Sequence, residues 1–134
     1  MKKLLLTILF TLVLGCVSKV HQLKFEVVQL YCFDKGNLDK EIIFNYMIIN
    51  NYDKEMKYID AKVIVKDMFD KKILNYKILS KAFVGPNTSK LFKSGIDVTY
   101  GDECSKLSNV KFEDLKIEFE VEQIAFSDNT VIKF

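Results

Sequence analysis

The side chains best equipped for chemistry are few, and their spacing limits what they can do together. The chain holds one histidine, His21, and three cysteines, Cys16, Cys32 and Cys104. A Ser-His-Asp or Cys-His constellation needs a histidine packed against its nucleophile. His21 sits in a short polar stretch ahead of the first alternating segment, which marks it as a solvated linker residue. Cys32 and Cys104 lack the near neighbours that a zinc site uses. Glu118, Glu120 and Glu122 offer carboxylates for cation binding or acid–base work, but alternate acids on a strand ordinarily mark its solvent face. Asp97, Asp102, Glu103 and Asp114 fall near one loop and could supply oxygen ligands to calcium, yet they lack the Gly and Asp spacing of a calcium loop. These residues lead us to expect no enzyme, no metal and no cofactor.

The compartment is legible at the N-terminus. Lys2 and Lys3 precede an apolar run from Leu4 that ends at Gly15 and Cys16, with Ser18, Lys19, His21 and Gln22 soon after. A spanning helix needs about 20 apolar residues, so the run is too short to cross and instead has the layout of a secretory signal. Val13-Leu14-Gly15-Cys16 resembles the lipobox of bacterial lipoproteins. The resemblance implies cleavage before Cys16, lipidation of its sulfur by a diacylglyceryl group, and acylation (palmitate) of the new amine. Two or three acyl chains, at ~0.8 kcal/mol per buried methylene, would hold a small domain on a bilayer. Val17 stands where an Asp hints at inner-membrane retention in a two-membrane cell. The implied location is therefore the outer membrane in such a cell, and the outer face of the plasma membrane where there is only one.

The chain accordingly divides into a signal peptide (1–15), a lipidated tether (16–22) and one folded domain (23–134). The tether spans at most about 20 Å when fully extended. Loss of Lys2 and Lys3 balances a chain that starts with 20 basic and 18 acidic residues. A neutral domain has no electrostatic pull on phosphate backbones, so nucleic acid is not expected as a partner. Every basic residue is Lys, which removes the guanidinium fork from recognition of carboxylate or phosphate. With Cys16 lipidated, Cys32 and Cys104 remain as an even pair in an oxidising compartment. They are either bridged, which would contribute roughly 4 kcal/mol on the chain-entropy model, or two separate thiols.

From Leu23 onward the hydrophobic period is mostly two, broken by turn residues, which argues for an all-β domain. Strands are expected over 23–33, 41–50, 58–67, 73–79, 89–100, 115–126 and 131–134. In the second, Ile42, Phe44, Tyr46 and Ile48 share one face while Ile43, Met47 and Ile49 share the other, suggesting burial on both. In the third, Ile59, Ala61, Val63 and Val65 face inward and Asp60, Lys62 and Lys66 outward. The stretch 101–109 reads as a loop, and only 112–115 suggests a helical turn. About seven strands with turns every ~8–12 residues favour a sandwich of two antiparallel sheets, with a barrel as the competitor.

"YIDAKVIVKDMFDKKILNYKI" followed by "VGPNTSKLF" resembles the immunoglobulin-like modules of bacterial envelope proteins of the FxLYD type. "KLSNVKFEDLKIEFEVEQIAFSDNT" is similar to the closing stretch of related secreted proteins. The resemblance implies a single antiparallel immunoglobulin-like sandwich. Asp70 and Asn129 stand where those families favour Gly, and both residue types tolerate left-handed backbone. No Trp is present to pack on an antibody-like inter-sheet bridge. The expected function is a membrane-anchored envelope lipoprotein acting as a non-catalytic binding or assembly module with a protein partner. The alternative is a surface-displayed lipoprotein, either an adhesin or a prophage-encoded exclusion factor.

Overall fold

The computed structural model describes residues 22–98 and 102–134. The expected signal peptide, Cys16 as the expected lipidation residue, His21, and the end of the expected fifth strand at Thr99 and Tyr100 lie outside them. Among the described residues, seven strands follow in chain order: β1 (Leu23–Gly36), β2 (Asp39–Asn50), β3 (Met56–Lys66), β4 (Lys72–Val84), β5 (Thr88–Asp97), β6 (Lys116–Phe126) and β7 (Val131–Lys133). Between β5 and β6 lie a short helix, α1 (Glu103–Ser108), and a single 3-10 turn, Phe112–Asp114.

The strands form two separate sheets, ordered β1-β2-β5 and β4-β3-β6-β7, and every pairing is antiparallel. This is an immunoglobulin-like sandwich and not a barrel. It differs from the antibody constant partition in one respect: the fourth strand pairs with the third rather than the fifth.

The core lies where period-two alternation points both sheets inward. Ile42, Phe44, Tyr46 and Ile48 of β2 meet Ile59, Ala61, Val63 and Val65 of β3, all fully or nearly fully buried. Each large apolar side chain removed from water contributes about 1.5–3 kcal/mol. Phe119 of β6 links the sheets, its ring stacked on Phe25 at 4.3 Å and near Phe44 at 6.0 Å.

Turn chemistry closes the strands. Asp67 Oδ1 accepts from the amides of Phe69 and Lys71, both at 2.9 Å, and Asp70 N donates to Asp67 O at 3.0 Å. Asp70 and Asn129 both take left-handed backbone, with φ of 63° and 65°. Asn87 does so after Gly85-Pro86, at φ 53°. At the far end of β2, buried Asn50 donates to the carbonyls of Lys54, Val84 and Gly85 at 2.8, 3.0 and 3.1 Å, while its Oδ1 accepts from Tyr52 N at 3.0 Å. One side chain thereby ties together two loops.

Three expectations need correction. The stretch 101–109 is not all loop, because α1 forms within it; Cys104 and Leu107, three apart, share its buried face. Strand β4 runs on to Val84 instead of stopping near residue 79, and Gly85-Pro86 ends it. The outer face of β3 is not wholly wet, since Asp60 and Ile64 are both only 7% exposed. That strand is flanked by β4 and β6, whose side chains wall in its outer face. Lys77 reaches Asp60 Oδ1 at 3.3 Å, an ion contact without hydrogen-bond geometry.

Candidate functional site

The functional candidates gather at the end of the sandwich far from Leu23. Leu23 pairs with Asn50, and Gln22 O accepts from Asn51 N at 2.7 Å, so the chain enters beside the β2–β3 turn. The β1–β2 turn, the β3–β4 turn and α1 lie at the opposite end. The 12 residues of β2 separate the two ends by roughly 40 Å.

Helix α1 closes that opposite end. Cys104 is joined to Cys32 of β1 by a disulfide, with Cα atoms 5.6 Å apart. Ser108 Oγ donates to Cys104 O at 2.8 Å, and Lys106 pairs with Asp102 at 2.8 Å, holding the Asp102 carboxyl below its ordinary range by that hydrogen bond. These contacts are internal to the helix and its cap. Among the described residues no hydrogen bond or ion pair joins residues 103–108 to a strand. The disulfide and the buried Cys104 and Leu107 side chains hold the helix in place.

Two shallow recesses flank α1. One, about 380 Å³, has Asp34 and Lys40 on one wall and Ser105 and Ser108 on the other, groups suited to hydrogen bonding. The other, about 270 Å³, lies between Leu30 and Tyr31 of β1 and Leu107, Ser108, Val110, Phe112 and Leu115.

Beside the recesses, large apolar side chains face solvent. Phe69 is 83% exposed and Leu38 72%, with Met68 and Phe112 also out of the core. Phe69 and Met68 occupy the centre of the turn that Asp67 locks through its two side-chain hydrogen bonds. Lys116 pairs with Asp70 at 2.7 Å and holds the Asp70 carboxyl low, tying the foot of the same turn to β6. Leu38 is held in left-handed backbone at φ 69°, unusual for a bulky residue. An aromatic side chain displayed on a rigid turn loses little entropy on contact with a partner, which suits it to act as an anchor.

Strand β7 is three residues long and pairs only with residues 123–125 of β6. Phe134 N donates to Glu122 O at 3.1 Å. Among the described residues, the β6 backbone at 116–121 has β3 on one side and no strand on the other.

No protein-family model matches this chain, and neither does any curated protein. Among solved structures, it is similar to the Northeast Structural Genomics Consortium target SoR45, at 14% identity and a TM-score of 0.49, over 86% of this chain and 82% of that one. It is also similar to a Bordetella pertussis protein described as ApaA, at 10% identity and a TM-score of 0.46, over 84% and 85% of the two chains.

Of the residues singled out in the sequence, the structure brings Cys32 and Cys104 together. Cys32 lies within β1 rather than at its end, and Cys104 lies on α1 rather than in a loop. The acids near the fifth strand do not converge. Asp97 pairs with Lys35 at 2.7 Å and Asp102 with Lys106, and no group of three or more potential ligands that could hold a metal occurs among the described residues. Glu118 and Glu122 pair across the sheet with Lys66 at 2.8 Å and Lys62 at 2.6 Å. These hydrogen bonds raise both lysine pKa values, and the Lys62 bond lowers that of Glu122. Sequence reasoning missed Met68 and Phe69, which fall in the turn between the strands expected over 58–67 and 73–79. The available signal was two large apolar residues at the centre of that turn.

Proposed function

We propose that the chain is a membrane-anchored lipoprotein of the bacterial envelope and a non-catalytic binding or assembly module. Its contact surface for a protein partner is the α1 end. The observation that carries this reading is Phe69, 83% exposed at the tip of a locked turn, with Met68 beside it and Leu38 and Phe112 exposed at the same end. A lipid on Cys16 would act at the opposite end, through a tether leading to Leu23, so the apolar tips would point away from the anchoring bilayer. Leaving a phenylalanine in water forgoes about 1.5–3 kcal/mol of burial, which a partner recovers on contact.

The test is affinity capture of the full-length lipidated chain from its own envelope, with Phe69→Ser and Cys16→Ser versions in parallel. The expected result is a co-purifying protein whose yield falls at least roughly tenfold with Phe69→Ser, as for an aromatic hot spot. Capture of nothing above the Cys16→Ser control, or capture that ignores Phe69→Ser, overturns the proposal.

A further inference from the structure

We propose that the groove between the β3–β4 turn and residues 109–114 holds an extended segment of the protein partner, in which acidic residues are followed by an aromatic or aliphatic one. This rests on the reading of the α1 end as a protein-contact surface and specifies the chemistry of what that surface accepts.

Two hollows make the groove. One, about 210 Å³, lies between Lys71, Lys72 and Ile73, where β4 starts, and Lys106, Asn109 and Val110. The other, about 330 Å³, lies between Met68 and Phe69 on the turn and Lys111 and Asp114. The two share Asp67, Asn109 and Val110, so the groove runs on from a charged end to an apolar one.

The charged end is positive. Lys106 is already paired with Asp102 at 2.8 Å. Lys71 and Lys72 are exposed, and among the described residues neither ammonium group has a hydrogen bond or an ion pair. Lys71 acts on Asp102 through charge alone, which sets that ammonium toward α1. Among the described residues, Asp67 is the one acid lining this end, and its Oδ1 is taken up by the amides of Phe69 and Lys71. The whole chain carries a formal charge of only +2, so the excess here is local. Lysines gathered in one hollow repel each other, and a carboxylate between them removes that repulsion.

The rest of the groove selects a peptide. Asn109, shared by both hollows, is exposed, and its side-chain amide has no hydrogen-bond partner among the described residues. An amide offers a donor and an acceptor that match a peptide unit, which an acyl chain lacks. At the far end Lys111 and Asp114 offset each other in charge, leaving Met68 and Phe69, 53% and 83% exposed, to be covered by an apolar side chain. Acidic residues ahead of an apolar one therefore meet each part of the groove in turn.

The experiment follows the fluorescence anisotropy of a labelled synthetic peptide, three aspartates followed by glycine, phenylalanine and leucine, titrated with the full-length chain in non-ionic detergent micelles; empty micelles are the blank. The expected result is saturable binding that weakens at least roughly tenfold in a Lys71→Glu/Lys72→Glu variant and in Phe69→Ser. A counterpart peptide with lysines in place of the aspartates should bind only the double variant, a reversal that unfolding would not produce. Octanoate, an acyl anion without a peptide unit, should not displace the labelled peptide. No saturation up to millimolar peptide, equal affinity for the two peptides, binding unchanged in the double variant, or displacement by octanoate as readily as by unlabelled peptide overturns the proposal. An envelope protein lost with Phe69→Ser but retained by the double lysine variant would leave the contact surface standing and remove this inference alone.

Discussion

Replacing Cys32 and Cys104 together with alanine tests what holds the α1 end. The two residues are 72 apart in sequence, and the chain-entropy relation for a closed loop of that length gives about 4 kcal/mol of stabilisation through the unfolded state. Cys104 is 2% exposed, so its truncation adds the loss of a buried sulfur, on the order of 1 kcal/mol. A domain of this size has roughly 5–15 kcal/mol in total, so the variant should still fold but with much of its margin removed. Urea unfolding followed by circular dichroism is the assay, since no tryptophan is present. With a slope of about 1–3 kcal/mol per molar, the midpoint should drop by roughly 2 M. Because among the described residues no hydrogen bond or ion pair ties residues 103–108 to a strand, their amides should also lose protection before those of β2 and β3 do. A midpoint shift below about 0.5 M, or undiminished protection of α1, would refute the view that this bond holds the helix to the sandwich.

Two further outcomes follow from single side chains. Asn50→Leu leaves the carbonyls of Lys54, Val84 and Gly85 and the amide of Tyr52 without their partner, and should cost about 2–4 kcal/mol, measured by the same unfolding curve; a loss under about 0.5 kcal/mol would contradict the central place given to Asn50. Asp128 is held well below the ordinary carboxylate range, first by its hydrogen bond from Lys54 and then by those from Thr130. A depressed folded pKa contributes stability that is fully present above the unfolded value near 3.9 and is lost progressively as pH falls toward the folded value, so Asp128→Asn should lower Tm more at pH 7 than at pH 2. An equal Tm loss at both pH values would sink that account.

Much of the fold is legible in the alternation. The inward set Ile59, Ala61, Val63 and Val65 is buried as the period-two pattern implies, and the 3-10 turn falls where 112–115 suggested it. Asp70 and Asn129 turn the chain in left-handed backbone. Helix α1 escaped because six residues carry too few turns for a 3.6 period to register, and what orders them is packing and a bond to a residue 72 positions away. The burial of Asp60 escaped for a related reason: a polar residue on an outer face becomes enclosed only when its strand is central. Phe69 was visible as a letter, but its exposure depends on the Asp67 hydrogen bonds that orient the turn.

The sequence alone determined an all-β chain with its strand faces and turns, because pleating and turn chemistry are local. Its N-terminal run also carries the resemblance to a lipoprotein signal. Tertiary structure alone decided that the turns bearing Leu38 and Phe69 meet α1 at the end away from Leu23, and that Cys32 and Cys104 come together there. Those facts depend on which strands become neighbours, and pairing among distant segments is set by the packing of the whole core, which no local pattern encodes.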